Sequence, residues 1–122
     1  MRRKAAVNIM IVLDLPFPPS VNGLFATNFK TKRRFSTKQY KAWESAAMLA
    51  IVQQNVGKQL GKVKVTYEYG RPDKRRRDVE NYAKAVSDIL VSANIITDDS
   101  EIEEMLLKWA DVTGVRVTIE GV

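Results

Sequence analysis

Val-Lys-Val-Thr-Tyr-Glu-Tyr, residues 63–69, runs through Gly70 into Arg-Pro-Asp-Lys-Arg-Arg-Arg-Asp-Val-Glu-Asn-Tyr-Ala-Lys, residues 71–84. Val63, Val65, Tyr67 and Tyr69 alternate with Lys64, Thr66 and Glu68, the period of a strand with one buried face. Beyond the basic loop, Tyr82, Ala83, Val86, Ile89, Leu90 and Ala93 recur on one face of a helix. Asp78 suits its N-cap and Asn94 a left-handed C-cap. Four consecutive cations, Lys74 to Arg77, therefore run into an acidic pair, Asp78 and Glu80, at a predicted helix start. A basic loop attracts a polyanion that paired carboxylates repel, unless a divalent cation lies between them.

Nearer the N-terminus, Asn8 to Leu15 is a short apolar run stopped by Pro16-Phe-Pro-Pro19, which predicts a strand. Ser36 and Gln39 have the spacing of a capping box, and Tyr40, Trp43, Ala47, Ala50 and Ile51 follow at helical intervals, predicting a helix to about Asn55. On the C-terminal side, Ile102 to Trp109 fits either period. Asp111 to Gly114 reads as a turn, and Val115, Val117 and Ile119 alternate as a last strand, giving a final two-stranded hairpin. With 122 residues there is chain for one core and not for two. The expected fold is a single α+β domain over residues 1–122, with a small mixed or mainly antiparallel sheet packed with two main helices.

The net charge of +6 favours an anionic partner. Residues 2–4, 30–41 and 71–77 hold 14 of the 20 Lys and Arg, while residues 68–104 hold 10 of the 14 Asp and Glu, so basic segments border an acidic centre. The chain contains no Cys and no His. That excludes thiolate and imidazole zinc sites, cysteine nucleophiles and every histidine base, and leaves oxygen ligands that suit magnesium or manganese. Nothing suggests a disulfide framework or secretion, and Asn8 and Asp14 interrupt the apolar run after Met1-Arg-Arg-Lys. We therefore expect a cytoplasmic protein with no membrane span.

Each acid has an ordinary structural role open to it. Asp78 can be a helix cap, Glu80 with Lys84 and Asp88 a ladder of surface pairs, and Asp98 and Asp99 turn residues. Geometry also allows them to converge. A helix from Val79 to Ala93 is about 22 Å long, and the extended residues 94–99 span about 20 Å, so Asp99 can return towards Asp78. A magnesium ion held by one to three carboxylates keeps positions open for water and a phosphate oxygen, as phosphodiester hydrolysis requires. Lys84, one helical turn beyond Glu80, is placed to stabilise the transition state or protonate the leaving group. Lys74, Arg75, Arg76 and Arg77 would grip adjacent phosphates. Upstream, Lys30, Lys32, Arg33 and Arg34 are interleaved with Phe25, Phe29 and Phe35. That pattern suits phosphates and unstacked bases, or a loop that tucks its rings into the core. The residues together point to a metal-dependent enzyme acting on nucleic acid.

Residues 75–84, Arg-Arg-Arg-Asp-Val-Glu-Asn-Tyr-Ala-Lys, followed by Asp98-Asp99 and Ile102, resemble the RusA family of Holliday junction resolvases, often encoded by phages and prophages. Leu15-Pro-Phe-Pro-Pro-Ser-Val-Asn22 is similar to that family's Pro-Pro-Ser-x-Asn segment. The resemblance spans nearly the whole chain. It implies catalytic and metal-binding roles for Asp78, Glu80 and Asp99, a catalytic role for Lys84, and a role for Arg77 beside the first acid. Asp98 matches an adjacent acid. It further implies a homodimer that cuts opposed strands of four-way junction DNA with magnesium or manganese in recombination and repair. One departure is Glu80, where the family's second acid is Asp; the extra methylene carries the carboxylate about one bond farther out. The alternative is a junction- or RNA-binding module whose acids are structural.

Overall fold

A computed structural model describes residues 10–122, so Arg2, Arg3, Lys4 and the start of the Asn8 to Leu15 strand lie outside the described residues. The alternating segments become the centre of the sheet. β1 (Met10–Leu15), β4 (Val63–Tyr69) and β6 (Val115–Gly121) each bury every second side chain, with Val63, Val65, Tyr67, Tyr69, Val115, Val117 and Ile119 fully enclosed. Two short strands, β2 (Phe25–Thr27) and β3 (Arg34–Ser36), pair as a separate antiparallel hairpin in what read as a loop. The four-stranded sheet has the order β1-β6-β4-β5, with β5 (Ile102–Trp109) parallel to β4 and β6 antiparallel to both neighbours.

That order corrects the expected C-terminal hairpin. β5 and β6 are consecutive in sequence, yet β4 lies between them. The crossover through the second helix brings β5 to the outer side of β4, leaving the inner side for β6. As an edge strand, β5 leaves Met105 and Leu106 exposed, which explains why its apolar residues do not alternate. The sheet's other face carries cross-strand ion pairs, Lys64–Glu104 (3.1 Å), Lys108–Glu68 (3.7 Å) and Arg116–Asp14 (3.1 Å). Such exposed pairs add little stability but mark a face turned to water.

The helices supply the rest of the core. α1 (Lys38–Gln54) buries Tyr40, Trp43, Ala47 and Ile51 and ends on Asn55 in the left-handed region (φ 50°), as the spacing predicted. Its cap is Thr37, not Ser36: Thr37 Oγ1 accepts from the Tyr40 N–H (3.1 Å), whereas Ser36 belongs to β3 opposite Phe25. α2 (Ala83–Ser92) buries Ala85, Val86, Ile89 and Leu90, and Asn94 follows at φ 60°.

Two buried tyrosines hold the region of α2 against β4. Tyr67 and Ser87 hydroxyls share a hydrogen bond (2.9 Å), and the Tyr69 hydroxyl donates to the Tyr82 carbonyl (2.8 Å). Burial pushes the phenol of Tyr40 up to about 12, with Asp88 and Glu44 adding to the shift, and raises Tyr67 and Tyr69 for the same first reason. An unfolded tyrosine ionises near pH ~10 while these folded ones keep their protons. Their contribution is therefore complete below about pH 10 and is lost as pH rises towards the folded value. Denaturant midpoints are expected to stay level from pH 8 to about 10 and fall steeply by pH 12; a flat profile through pH 12 would contradict this.

Candidate active site

The basic loop is folded on one acid. The Asp73 carboxylate accepts from the Arg75 N–H (2.8 Å) and Nε (3.2 Å) and takes both Nη atoms of Arg77 (2.5 and 3.0 Å). Arg77 is the best enclosed of these cations, its side chain only 13% exposed. The Arg77 guanidinium, followed by the Arg75 N–H, holds the Asp73 carboxyl well below the usual carboxylate range. Asp73 thus engages two of the four cations expected to grip phosphates. Arg75 and Arg77 shape the loop, whereas among the described residues Lys74 and Arg76 have no ion-pair partner and stand exposed. Sequence reading missed Asp73, although its i,i+4 spacing to Arg77 was visible.

This loop closes against the Pro-Pro-Ser segment. Phe17 packs on Tyr82 with ring centres 4.9 Å apart, and the Trp43 indole N–H donates to the Pro16 carbonyl (2.9 Å). The result is a cavity of about 470 Å³ between Pro18, Pro19 and Ser20 on one wall and Arg75 to Arg77 on the other. The two halves of the recognised pattern, distant in sequence, thus form one surface.

Asp78 stands at the next recess, about 460 Å³, with Ser20, Arg76, Arg77 and Asn81. It does not cap α2. A turn of 3-10 helix, Val79–Tyr82, intervenes; the backbone of Asp78 is extended and its side chain makes no capping hydrogen bond. The ordinary explanation for this acid is therefore removed. Asp98 is different: its carboxylate accepts from the Ser100 N–H (3.0 Å) and hydroxyl (2.5 Å), which hold it below its usual range and fix the turn Asp99–Glu101.

Glu80, Lys84 and Asp99 line a single open cavity of about 540 Å³, together with Asp88 and Glu103. Asp99 therefore lines the same cavity as Glu80, while Asp78 lines the recess with Ser20. Within the expected ladder, Lys84 pairs with Asp88 (3.2 Å), and Glu80 has no ion-pair partner among the described residues. Asp88 is the acid whose role the sequence left as a surface pair; it anchors the lysine on the cavity wall. Among the described residues, no three Asp or Glu side chains are gathered closely enough to hold a metal ion by themselves.

The second basic segment forms the β2–β3 hairpin. Phe25 packs edge-on against Tyr40 (5.6 Å), and the Arg34 guanidinium lies 3.9 Å from the centre of the Phe25 ring, so Arg34 is partly engaged. Lys30, Lys32 and Arg33 are exposed around the tip, where the Phe29 side chain stands 90% exposed.

Comparison with known proteins identifies relatives along most of the chain. The family described as Endodeoxyribonuclease RusA matches residues 16–120. Crossover junction endodeoxyribonuclease RusA of Escherichia coli, in strains CFT073 and UTI89, is 30% identical over 101 residues, covering 83% of this chain and 83% of the relative. The matched span contains the Pro-Pro-Ser segment, the basic loop and all the acids of the cavity, and the chain belongs to the RusA endodeoxyribonuclease family.

Proposed function

We propose that this protein is a magnesium-dependent, structure-selective endonuclease. It would resolve four-way DNA junctions in the cytoplasm by hydrolysing phosphodiester bonds in opposed strands. The observation that carries the reading is Glu80, Asp99 and Lys84 on one open cavity, following a loop whose Lys74 and Arg76 have no ion-pair partner among the described residues. Membership of the family and the printed activity of the Escherichia coli relative support the choice of substrate. A homodimer supplies one such cavity to each of two symmetry-related strands. No helix among the described residues is long and apolar enough to cross a membrane.

Magnesium is commonly bound by one or two carboxylates with substrate phosphates and water completing its shell. Glu80 and Asp99 on a shared open cavity fit that pattern, and Asp78, two residues before Glu80, is the third proposed ligand. When bound, the ion supplies Lewis-acid polarisation of the phosphoryl group and a more acidic water; manganese serves the same oxygen donors. Lys84, steadied by Asp88, places a positive charge at the cavity wall where charge develops on phosphate oxygens. Lys74, Arg76, Lys30, Lys32 and Arg33 neutralise neighbouring phosphates, with Arg75 and Arg77 keeping the loop in shape and Arg34 bracing the hairpin.

The absence of a three-carboxylate group among the described residues favours a second reading, a junction- or RNA-binding module that does not cut. Stripping metal with EDTA and adding back magnesium or manganese distinguishes the two. Cleavage of a synthetic four-way junction is expected only after add-back. Salt-sensitive binding with no cleavage under any metal would select the module, and undiminished cleavage in EDTA would exclude the metal.

A further inference from the structure

We propose that Phe29 is the side chain that stacks on a base exposed where the strands of branched DNA part. The inference rests on the DNA-junction reading above and deepens it. Three phenylalanines are interleaved with the cations of residues 25–35, and the fold separates them. Phe25 is packed on Tyr40 beneath Arg34, and Phe35, within β3, is 49% exposed. Phe29 is 90% exposed, more than any other exposed large hydrophobic among the described residues.

Its support is firm. The Asn28 N–H donates to the Arg33 carbonyl (2.8 Å), the Lys32 N–H donates to the Asn28 carbonyl (2.8 Å), and Asn28 Oδ1 accepts from the N–H groups of Lys30 (2.9 Å) and Thr31 (3.1 Å). Lys32 adopts the left-handed conformation (φ 60°) that closes the tip. An aromatic ring is thus held out in water on a hydrogen-bonded turn, with Lys30, Lys32 and Arg33 beside it. Those cations select a polyanion and disfavour a purely apolar partner. Within an unbroken duplex the faces of the bases are covered by their neighbours, whereas a branch or a single strand uncovers them. A ring flanked by phosphate-binding cations matches that combination of exposed base and adjacent backbone.

The test uses the full chain, its Phe29→Ala and Phe29→Trp variants, and calcium in place of magnesium to prevent cutting. The DNAs are a four-way junction carrying 2-aminopurine at the branch point and a linear duplex carrying it centrally. The parent should alter 2-aminopurine emission on the junction and not on the duplex. Phe29→Ala should lose that change and bind the junction roughly 10-fold more weakly, with duplex binding unaltered, and Phe29→Trp should restore both. Equal junction affinity and an equal emission change for Phe29→Ala would overturn the assignment while leaving the DNA reading intact. Failure of the parent itself to bind junction or duplex would overturn both.

Discussion

Asp78→Asn and Asp99→Asn are each expected to abolish junction cleavage while junction binding persists. A metal ion contributes several kcal/mol to transition-state charge stabilisation, and about 1.4 kcal/mol corresponds to a factor of ten in rate. Losing one of its ligands should therefore lower single-turnover cleavage by at least about 100-fold. Binding should be unchanged or slightly tighter, because each change removes one negative charge from a surface facing a polyanion, and Lys74 and Arg76 remain. Folding should be undisturbed: both residues are exposed, and Asp78 makes no capping bond. Asp98→Asn serves as a contrast, since its carboxylate is occupied by Ser100. Cleavage by either Asp78→Asn or Asp99→Asn at the parental rate would remove that carboxylate from the site.

The largest stability effect is expected at Gly70. This residue directly follows β4, its N–H donates to the Gly114 carbonyl (2.8 Å), and a Cβ there would overlap the carbonyl of Val112. The obstacle is backbone on both sides, so no side-chain rotation can relieve it. Gly70→Ala should cost about 3 kcal/mol, the upper end of overpacking effects, and lower the melting temperature by roughly 10 °C. Gly57→Ala, where nothing lies within 4 Å, should leave the melting temperature nearly unchanged. Equal melting temperatures for the two variants would mean that the close approach of the Gly70 and Val112 segments is wrong. Because Gly70 is the residue from which the basic loop departs, displacement there should also reduce cleavage.

Local signals accounted for most of the elements and for none of the long-range pairing. β4 is read to its end residues because both faces of its alternation are unambiguous, and Asn55 and Asn94 both end helices in the left-handed conformation. The start of α2 was misjudged because Val79-Glu80-Asn81-Tyr82 carries helical periodicity but winds as a 3-10 turn, held by the Tyr69 hydroxyl bond to Tyr82. That contact depends on residues far along the chain. β5 was ambiguous because an edge strand need not alternate, and its separation from β6 follows from a crossover that no local pattern encodes.

The candidate site was legible in its residue types and less so in its grouping. Paired carboxylates beside cations in a chain without His or Cys restricted the chemistry to oxygen-bound metals. Glu80 and Asp99, far apart in sequence, line one cavity because the chain returns after α2, and the 3-10 turn that begins after Asp78 carries Glu80. The distinction among the loop cations was hidden for a different reason. Asp73 had an unremarkable position after a proline, and only the folded loop shows it holding Arg75 and Arg77.

The most direct measurement of the central claim compares three DNAs of equal length and sequence, a four-way junction, a linear duplex and a single strand, in magnesium and in manganese. Paired cuts in opposed strands of the junction are expected, yielding nicked duplexes, with the linear duplex and single strand left whole. Equal cutting of the linear duplex, or an intact junction in both metals, would contradict it.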